Sequence, residues 1–350
     1  MLSLGIGIGV QGNNKFDELI STGCRNWLII TGDDDYWIPR LKLLRQYDTI
    51  ILRYWVQPII HRDPIQIGRD AANAWHKWGD DPNIVVQIGN EYNLWYEYSG
   101  AESDQALFDD PASGGEGYKQ VNAWCVRCFT EFRKQAPAAK LIWGTFSPGH
   151  NEDGPDTDWN GNNICQPARS LCDIDAAHAY KDFDYWDSGF RFARPKGYKN
   201  SNDPGGHYWL TDKPFWITEF NTGFQWTDTQ WLDTYFLGLK TYTRVEKAFV
   251  FIGNYTDEGH RAFAISEHPN IMDWFKNYIS NTHEEIPMPE LTLTEKILVA
   301  NGDTVVGDEI PFGAGVMRTG AKGIALAVNV GEWRGVYLPY SFPKVTITPA

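Results

Sequence analysis

Residues 84–93 read IVVQIGNEYN and residues 214–221 read PFWITEFN. Each is an apolar, β-rich run too short for an ordinary helix, and each ends on a carboxylate: Glu91, preceded by Asn90, and Glu219. Unbroken apolar runs of this kind suit strands covered on both faces, as in a parallel sheet.

Six more runs share that texture, and together the eight are Leu4–Val10, Asn26–Thr31, Thr49–Val56, Ile84–Gly89, Lys140–Phe146, Ile174–Tyr180, Pro214–Phe220 and Ala248–Gly253. Between most of them lie helix-period segments: Phe16–Thr22, Pro39–Gln46, Ile67–Trp78, Gly117–Gln135, Asp228–Tyr242 and Asn270–Ser280. A helix between the sixth and seventh runs, within Asp182–Asp212, is hard to discern. Alternating strand and helix predicts a parallel sheet with right-handed crossovers. Eight repeats predict an α/β fold of the (β/α)₈ TIM-barrel type over residues 1–280. The rival is a dinucleotide-binding fold, but the glycines of GIGIGVQG fall inside the first strand pattern instead of opening a helix.

Past residue 280 the texture changes. Residues 281–290 (NTHEEIPMPE) form a polar, Pro-containing linker, and residues 291–350 predict a small C-terminal all-β appendage. Its short runs are Leu291–Ala300, Asp303–Glu309, Gly315–Arg318, Gly323–Val330, Gly335–Tyr340 and Lys344–Thr348, with Gly and Asn-Gly signals between them.

Composition narrows the partner. Of 350 residues, 45 are acidic and 31 basic, a net charge of −14, so a nucleic-acid polyanion would be repelled. Aromatic residues make up 15%, including 16 Trp and 17 Tyr, which fits a protein that stacks flat apolar faces such as sugar rings. No run approaches a membrane span. The opening MLSLGIGIGVQG lacks a basic leader and does not read as a signal peptide. Localisation stays open between export with a leader removed and the cytoplasm, and so does oligomeric state.

Five cysteines are present. Cys125 and Cys128 sit three apart in an expected helix, as a buried apolar pair or half of a metal site whose second half is missing. Cys165 and Cys172 lie in one polar loop, and whether a bridge between them staples it is left open by the sequence. The same loop, His150–Asp173, is rich in Asp and Asn but lacks the spacing of a helix-loop-helix calcium site.

In a (β/α)₈ barrel the chemistry sits at the C-terminal ends of the strands, where strands 4 and 7 face each other across the mouth. Two carboxyl groups converging there are what glycoside hydrolysis needs: one protonates the leaving oxygen, and the other attacks the anomeric carbon or activates water. The sixth run, DAAHAY, adds His178 and Tyr180 on one face. Glu97 and Glu152 lie in polar stretches and end no strand, so they are weaker candidates.

Asn-Glu ending strand 4, with Glu ending strand 7, resembles the pattern of the clan A glycoside hydrolases, retaining (β/α)₈ enzymes that include many β-glucanases, β-mannanases, β-xylanases and β-galactosidases. The resemblance covers residues 1–280, and no single family within the clan fits. It implies Glu91 as acid/base, Glu219 as nucleophile and Asn90 as a hydrogen-bonding partner of the sugar 2-hydroxyl. His-x-Tyr recurs in several of these families, with the Tyr hydroxyl on the nucleophile, which implies that role for Tyr180. An Arg from an early strand often flanks the nucleophile, and Arg53 in ILRYW is the candidate. Strand 8 of the clan usually supplies a Trp floor, whereas this chain has GNYTD, leaving Tyr255 or the loop residue Trp226 as substitutes. Trp37, Trp55, Trp95 and Tyr96 lie in or just after the early runs and are candidate sugar platforms, against the commoner alternative of core packing.

The reading is therefore a glycosidase acting on a β-linked oligo- or polysaccharide by double displacement, endo-acting by its aromatic-rich loops, with no cofactor or metal required. The alternatives are an exo-acting β-glycosidase, a carbohydrate-binding barrel without catalysis, and a metal-dependent barrel hydrolase, which would need several His and Asp at strand ends.

Overall fold

A computed structural model describes residues 2–8, 15–147, 164–180, 189–193, 205–221, 229–254 and 261–281, and beyond these only the backbones of seven short strands between 290 and 348. Eight parallel strands make one sheet: β1 Ser3–Gly7, β2 Asn26–Ile30, β3 Thr49–Tyr54, β4 Ile84–Ile88, β5 Lys140–Ile142, β6 Asp175–Tyr180, β7 Phe215–Asn221 and β8 Val245–Val250. They pair in the order β5-β4-β3-β2-β1-β8-β7-β6. A parallel bridge between Ile142 and Ile174 brings the two ends together, so the sheet curls into a nearly closed barrel. Helices between the strands complete a (β/α)₈ TIM barrel.

The strand bounds follow the apolar runs closely because each run is buried on both faces: all five residues of β4 and all seven of β7 are buried. Side chains alternating inward fill the barrel, among them Leu28, Ile51, Val85, Ile142, Ala176, Trp216 and Phe249. The Gly-rich first strand has a packing reason. A Cβ at Gly5 would lie 2.3 Å from the Phe249 ring on the neighbouring strand, so Gly5 makes room for that filler.

The helices Pro64–Lys77 and Glu116–Gln135 pack closely where Gly68 meets the backbone; a Cβ there would come within 2.5 Å of the Cys128 carbonyl oxygen. The helix expected from Pro39 begins earlier, at Asp34, and carries Pro39 inside it. Between β6 and β7 the described residues hold only short 3₁₀ turns, Arg191–Ala193 and His207–Trp209. After residue 289 the described strands pair antiparallel. Two strands, Glu290–Leu293 and Leu298–Asn301, stand where one run is expected.

The question left open by the sequence is answered: Cys165 and Cys172 form no bridge, and all five cysteines are free and buried. A helix, Gln166–Ser170, stands between them, and their thiol groups face the carbonyls of Tyr118 and Ala168 respectively. Burial pushes the Cys24 thiol up to about 12 and raises those of Cys125 and Cys128, which suits packing rather than metal or redox work. The Asp-rich part of the loop before Cys165, including Glu152, lies outside the described residues. Among the described residues no helix is long and apolar enough to cross a membrane.

Candidate active site

The turn after β4 is built around Gly89, whose φ of +75° favours glycine. A Cβ there would also lie 2.4 Å from the buried Tyr92 ring. The turn is anchored to the segment after β5: Asn93 donates to the Ser147 carbonyl at 3.1 Å and accepts from the Ser147 N–H at 2.6 Å. Asn90 and Glu91 thereby sit at the barrel mouth. The short helix Trp95–Tyr98 then folds Glu97 back beneath them. Glu97 accepts from Asn90 Nδ2 at 3.0 Å through one oxygen and from the Glu91 N–H at 2.9 Å through the other.

Two residues on from the barrel-filling Ile51, Val85 and Ala176 come Arg53, Gln87 and His178, which form the next inward layer. Strand β7 does not follow by simple alternation. Ala177 pairs with Ile217, but His178 pairs with Glu219, because the register slips by one at this point. Such a slip moves a side chain to the other face of a sheet, and here it brings Glu219 in where Thr218 would otherwise stand.

Glu219 is held from three sides. Arg53 donates to Oε1 through Nη1, Tyr180 donates its hydroxyl to Oε2, and His178 Nδ1 lies 3.5 Å from the same oxygen. Arg53 is in turn oriented by Gln87, which accepts from Arg53 Nε at 2.9 Å. His178 Nδ1 also stands 2.8 Å from Glu91 Oε1, so one imidazole bridges both carboxylates. A carboxylate oxygen of Glu91 and one of Glu219 lie within 4.8 Å of each other.

The electrostatics separate these acids. Burial alone would raise the pKa of Glu219, but His178, Arg53 and the Tyr180 hydroxyl outweigh it and leave the carboxyl below its ordinary value. Glu97 goes the other way. Burial, reinforced by the charge of Glu91, pushes it up to about 8 against the hydrogen bonds from Asn90 and Glu91 N–H. Tyr96, 45% exposed, has its phenol raised by burial and then by Glu91, Glu97 and Glu219, which places it beside all three. Glu91, His178 and Glu219 also have the spacing of a three-ligand cation site, although Arg53 already sets a positive charge against Glu219.

Six of the residues singled out from sequence thus meet: Glu91, Glu219, Asn90, His178, Tyr180 and Arg53. Trp55 and Trp95 are half-buried just after β3 and the β4 turn, and Trp95 packs edge-on against Tyr96. Trp37 is corrected: it lies inside the helix Asp34–Leu44, buried against Phe16, as core. Tyr255 and Trp226 fall outside the described residues. Glu97, ranked as a weaker candidate because it ends no strand, is part of the site. Two contributors went unrecognised in the sequence. Gln87 had the signal of a polar residue in an apolar run. Phe251, just past β8, is the aromatic residue found at that strand end, edge-on to Tyr180 with ring centroids 6.3 Å apart.

Fold and site define a (β/α)₈ barrel with paired carboxylates at its mouth. No family model matches the sequence, and no curated protein is similar to it. In structure the chain is similar to a calcium-binding mutant of Bacteroides uniformis beta-glucuronidase 2, with 10% identity and a TM-score of 0.54 over 95% of this chain and 44% of that one. It is also similar to a family 39 glycoside hydrolase from Bacteroides cellulosilyticus, at 13% identity and TM-score 0.52 over 95% of this chain and 69% of that one. A third is a GH26 beta-mannanase from Bacteroides ovatus, at 11% identity and TM-score 0.51 over 81% of this chain and 88% of that one. The chain spans less than half the length of the first of these. At such identities the likeness shows the fold.

Proposed function

We propose that the chain is a retaining glycoside hydrolase acting on a β-linked glycan, with Glu219 as nucleophile and Glu91 as acid/base. One observation carries this reading: the two carboxylates stand with oxygens within 4.8 Å of each other across the barrel mouth. Retaining glycosidases place their carboxyl groups about 5–5.5 Å apart, whereas inverting ones need about 6.5–9.5 Å to admit a water.

Ionised Glu219 attacks the anomeric carbon as Glu91 passes its proton to the leaving oxygen, forming a glycosyl ester on Glu219. Glu91, now ionised, takes a proton from a water that attacks the same carbon, releasing the sugar with retained configuration and reprotonating Glu91. Arg53 and Tyr180 keep Glu219 ionised and aimed, and Asn90 meets the sugar 2-hydroxyl. Half-exposed Tyr96 and half-buried Trp55 and Trp95 are the aromatic surfaces available to further sugar rings.

A neutral glycan suits an acidic mouth whose nucleophile already has its cation, and the GH26 neighbour is named a beta-mannanase. A mannan, β-glucan or xylan cleaved internally is therefore the substrate class. Residues 1–280 would carry the chemistry, with 281–290 as linker and 291–350 as a separate small β-unit.

The test is hydrolysis of β-glucans, mannans, xylans and aryl β-glycosides by the wild type, Glu91→Ala and Glu219→Ala, with azide added to Glu91→Ala on an activated aryl substrate. Both variants should lose activity, Glu91→Ala by about 10²–10⁴-fold on poor leaving groups. Azide should restore turnover and yield the β-glycosyl azide. An α-azide product would mean inversion, and a wild type inert on every substrate would favour a carbohydrate-binding barrel.

A further inference from the structure

We propose that Glu97 is a positioning residue for this reaction, a third carboxyl that clamps the Asn90 amide and the Glu91 backbone together and so fixes how both side chains meet the sugar. The inference rests on the glycosidase reading above.

The geometry is specific. Glu97 is 2% exposed, and its two oxygens are used by two different groups of the β4 turn, the Asn90 side-chain amide and the Glu91 N–H. Burying a carboxyl without a cation in direct contact is costly, and a solvated Gln or Thr would fill a merely structural place at less cost. The arrangement also gives Asn90 a direction. One N–H of Asn90 Nδ2 goes to Glu97, which fixes the plane of the amide, and among the described residues Asn90 Oδ1 is buried without a hydrogen-bond partner. A buried acceptor requires a donor, and a sugar hydroxyl is one.

Glu97 is also electrically coupled to the acid/base. The charged or titratable groups that act on it or feel it are Glu91 from the β4 turn, Arg53 from β3 and Tyr96 from its own helix. Burial and the charge of Glu91 push Glu97 up to about 8, so below that pH Glu97 holds its own proton and sets no second negative charge beside the Glu91 backbone it clamps.

The experiment compares wild type, Glu97→Gln, Glu97→Ala, Asn90→Ala and the Asn90→Ala/Glu97→Ala pair on an aryl β-glycoside that the wild type hydrolyses, and on its 2-deoxy counterpart. Glu97→Ala should lower kcat about ten-fold or more with KM nearly unchanged. The double variant should lose less than the product of the single losses. On the 2-deoxy substrate the cost of Glu97→Ala should shrink, because the hydroxyl that Asn90 meets is gone. Glu97→Gln keeps the shape and an acceptor for Glu91 N–H, so it should fold like wild type while the change in kcat/KM that ionisation of Glu97 brings near pH 8 disappears. Wild-type kinetics in Glu97→Ala with a profile near pH 8 unchanged in Glu97→Gln, or losses that multiply independently of Asn90, would overturn the proposal while leaving the glycosidase reading intact. A wild type without glycosidase activity would overturn both.

Discussion

Arg53 of β3 and Glu219 of β7 meet as a buried ion pair although 166 positions separate them in sequence. The pair does two things at once. It compensates a carboxylate that burial would otherwise neutralise, and it leaves that carboxylate ionised and oriented, as the proposed nucleophile must be. Removing one partner of a buried pair exposes both roles.

Arg53→Met should therefore destabilise the fold by about 3–5 kcal/mol, read as a lower midpoint in urea, because an uncompensated buried carboxylate remains. It should also move the acid limb of kcat/KM to higher pH. The sign follows from the lowered pKa of Glu219, to which Arg53 contributes: without that charge the pKa rises, and the ionised nucleophile is lost sooner on acidification. An unmoved acid limb would mean that Glu219 is not the group whose ionisation the reaction needs.

Tyr180→Phe isolates the hydroxyl. The ring keeps its edge-on contacts with His178 and Phe251, so thermal stability should change little. Losing one hydrogen bond to a charged group should cost about ten- to a hundred-fold in kcat/KM and shift the acid limb upward. Equal losses in stability and activity would instead assign the hydroxyl to packing.

Gly89→Ala tests the turn that presents Glu91. The added methyl meets the Tyr92 ring at 2.4 Å in a backbone conformation of φ +75°, so the fold should lose more than about 1 kcal/mol. Activity should fall more steeply than folded fraction, since the displaced segment carries Glu91, the proposed acid/base. Calorimetry and kinetics on the same preparation separate the two.

Glu97 predicts an unusual pH dependence of stability. In the unfolded chain its carboxyl gives up its proton near 4.5, whereas in the fold it holds the proton to about 8. Between those values the native state binds the extra proton, so stability falls as pH rises through the window. Glu97→Gln should lack this slope, and its denaturation midpoint should gain on that of wild type from about pH 5 to pH 8. Parallel curves for the two proteins would show that Glu97 is ionised in the fold.

The barrel was legible because eight runs, each buried on both faces, carry a signal that local sequence cannot hide; β4 and β7 end within a residue of where their apolar runs stop. The placement of Glu91 and Glu219 at the ends of their strands was legible for the same reason. What escaped were features set by tertiary geometry. Simple alternation from Trp216 would send Thr218 inward, and only the slip opposite Ala177 and His178 delivers Glu219. Glu97 ends no strand, and nothing in WYEY tells that a single helical turn returns it under Asn90. Trp37 looked like a loop platform because Pro39 read as the first residue of a helix. The helix starts at Asp34 and carries the ring into the core.

The five buried thiols have a use beyond packing. A reagent that reacts only with thiolate cannot reach any of them while the barrel is closed, so each modification timestamps an opening event. Cys24 precedes β2, Cys125 and Cys128 ride the helix before β5, and Cys165 and Cys172 flank the helix before β6. Their relative labelling rates would turn the chain into a recorder of which part of the barrel gives way first.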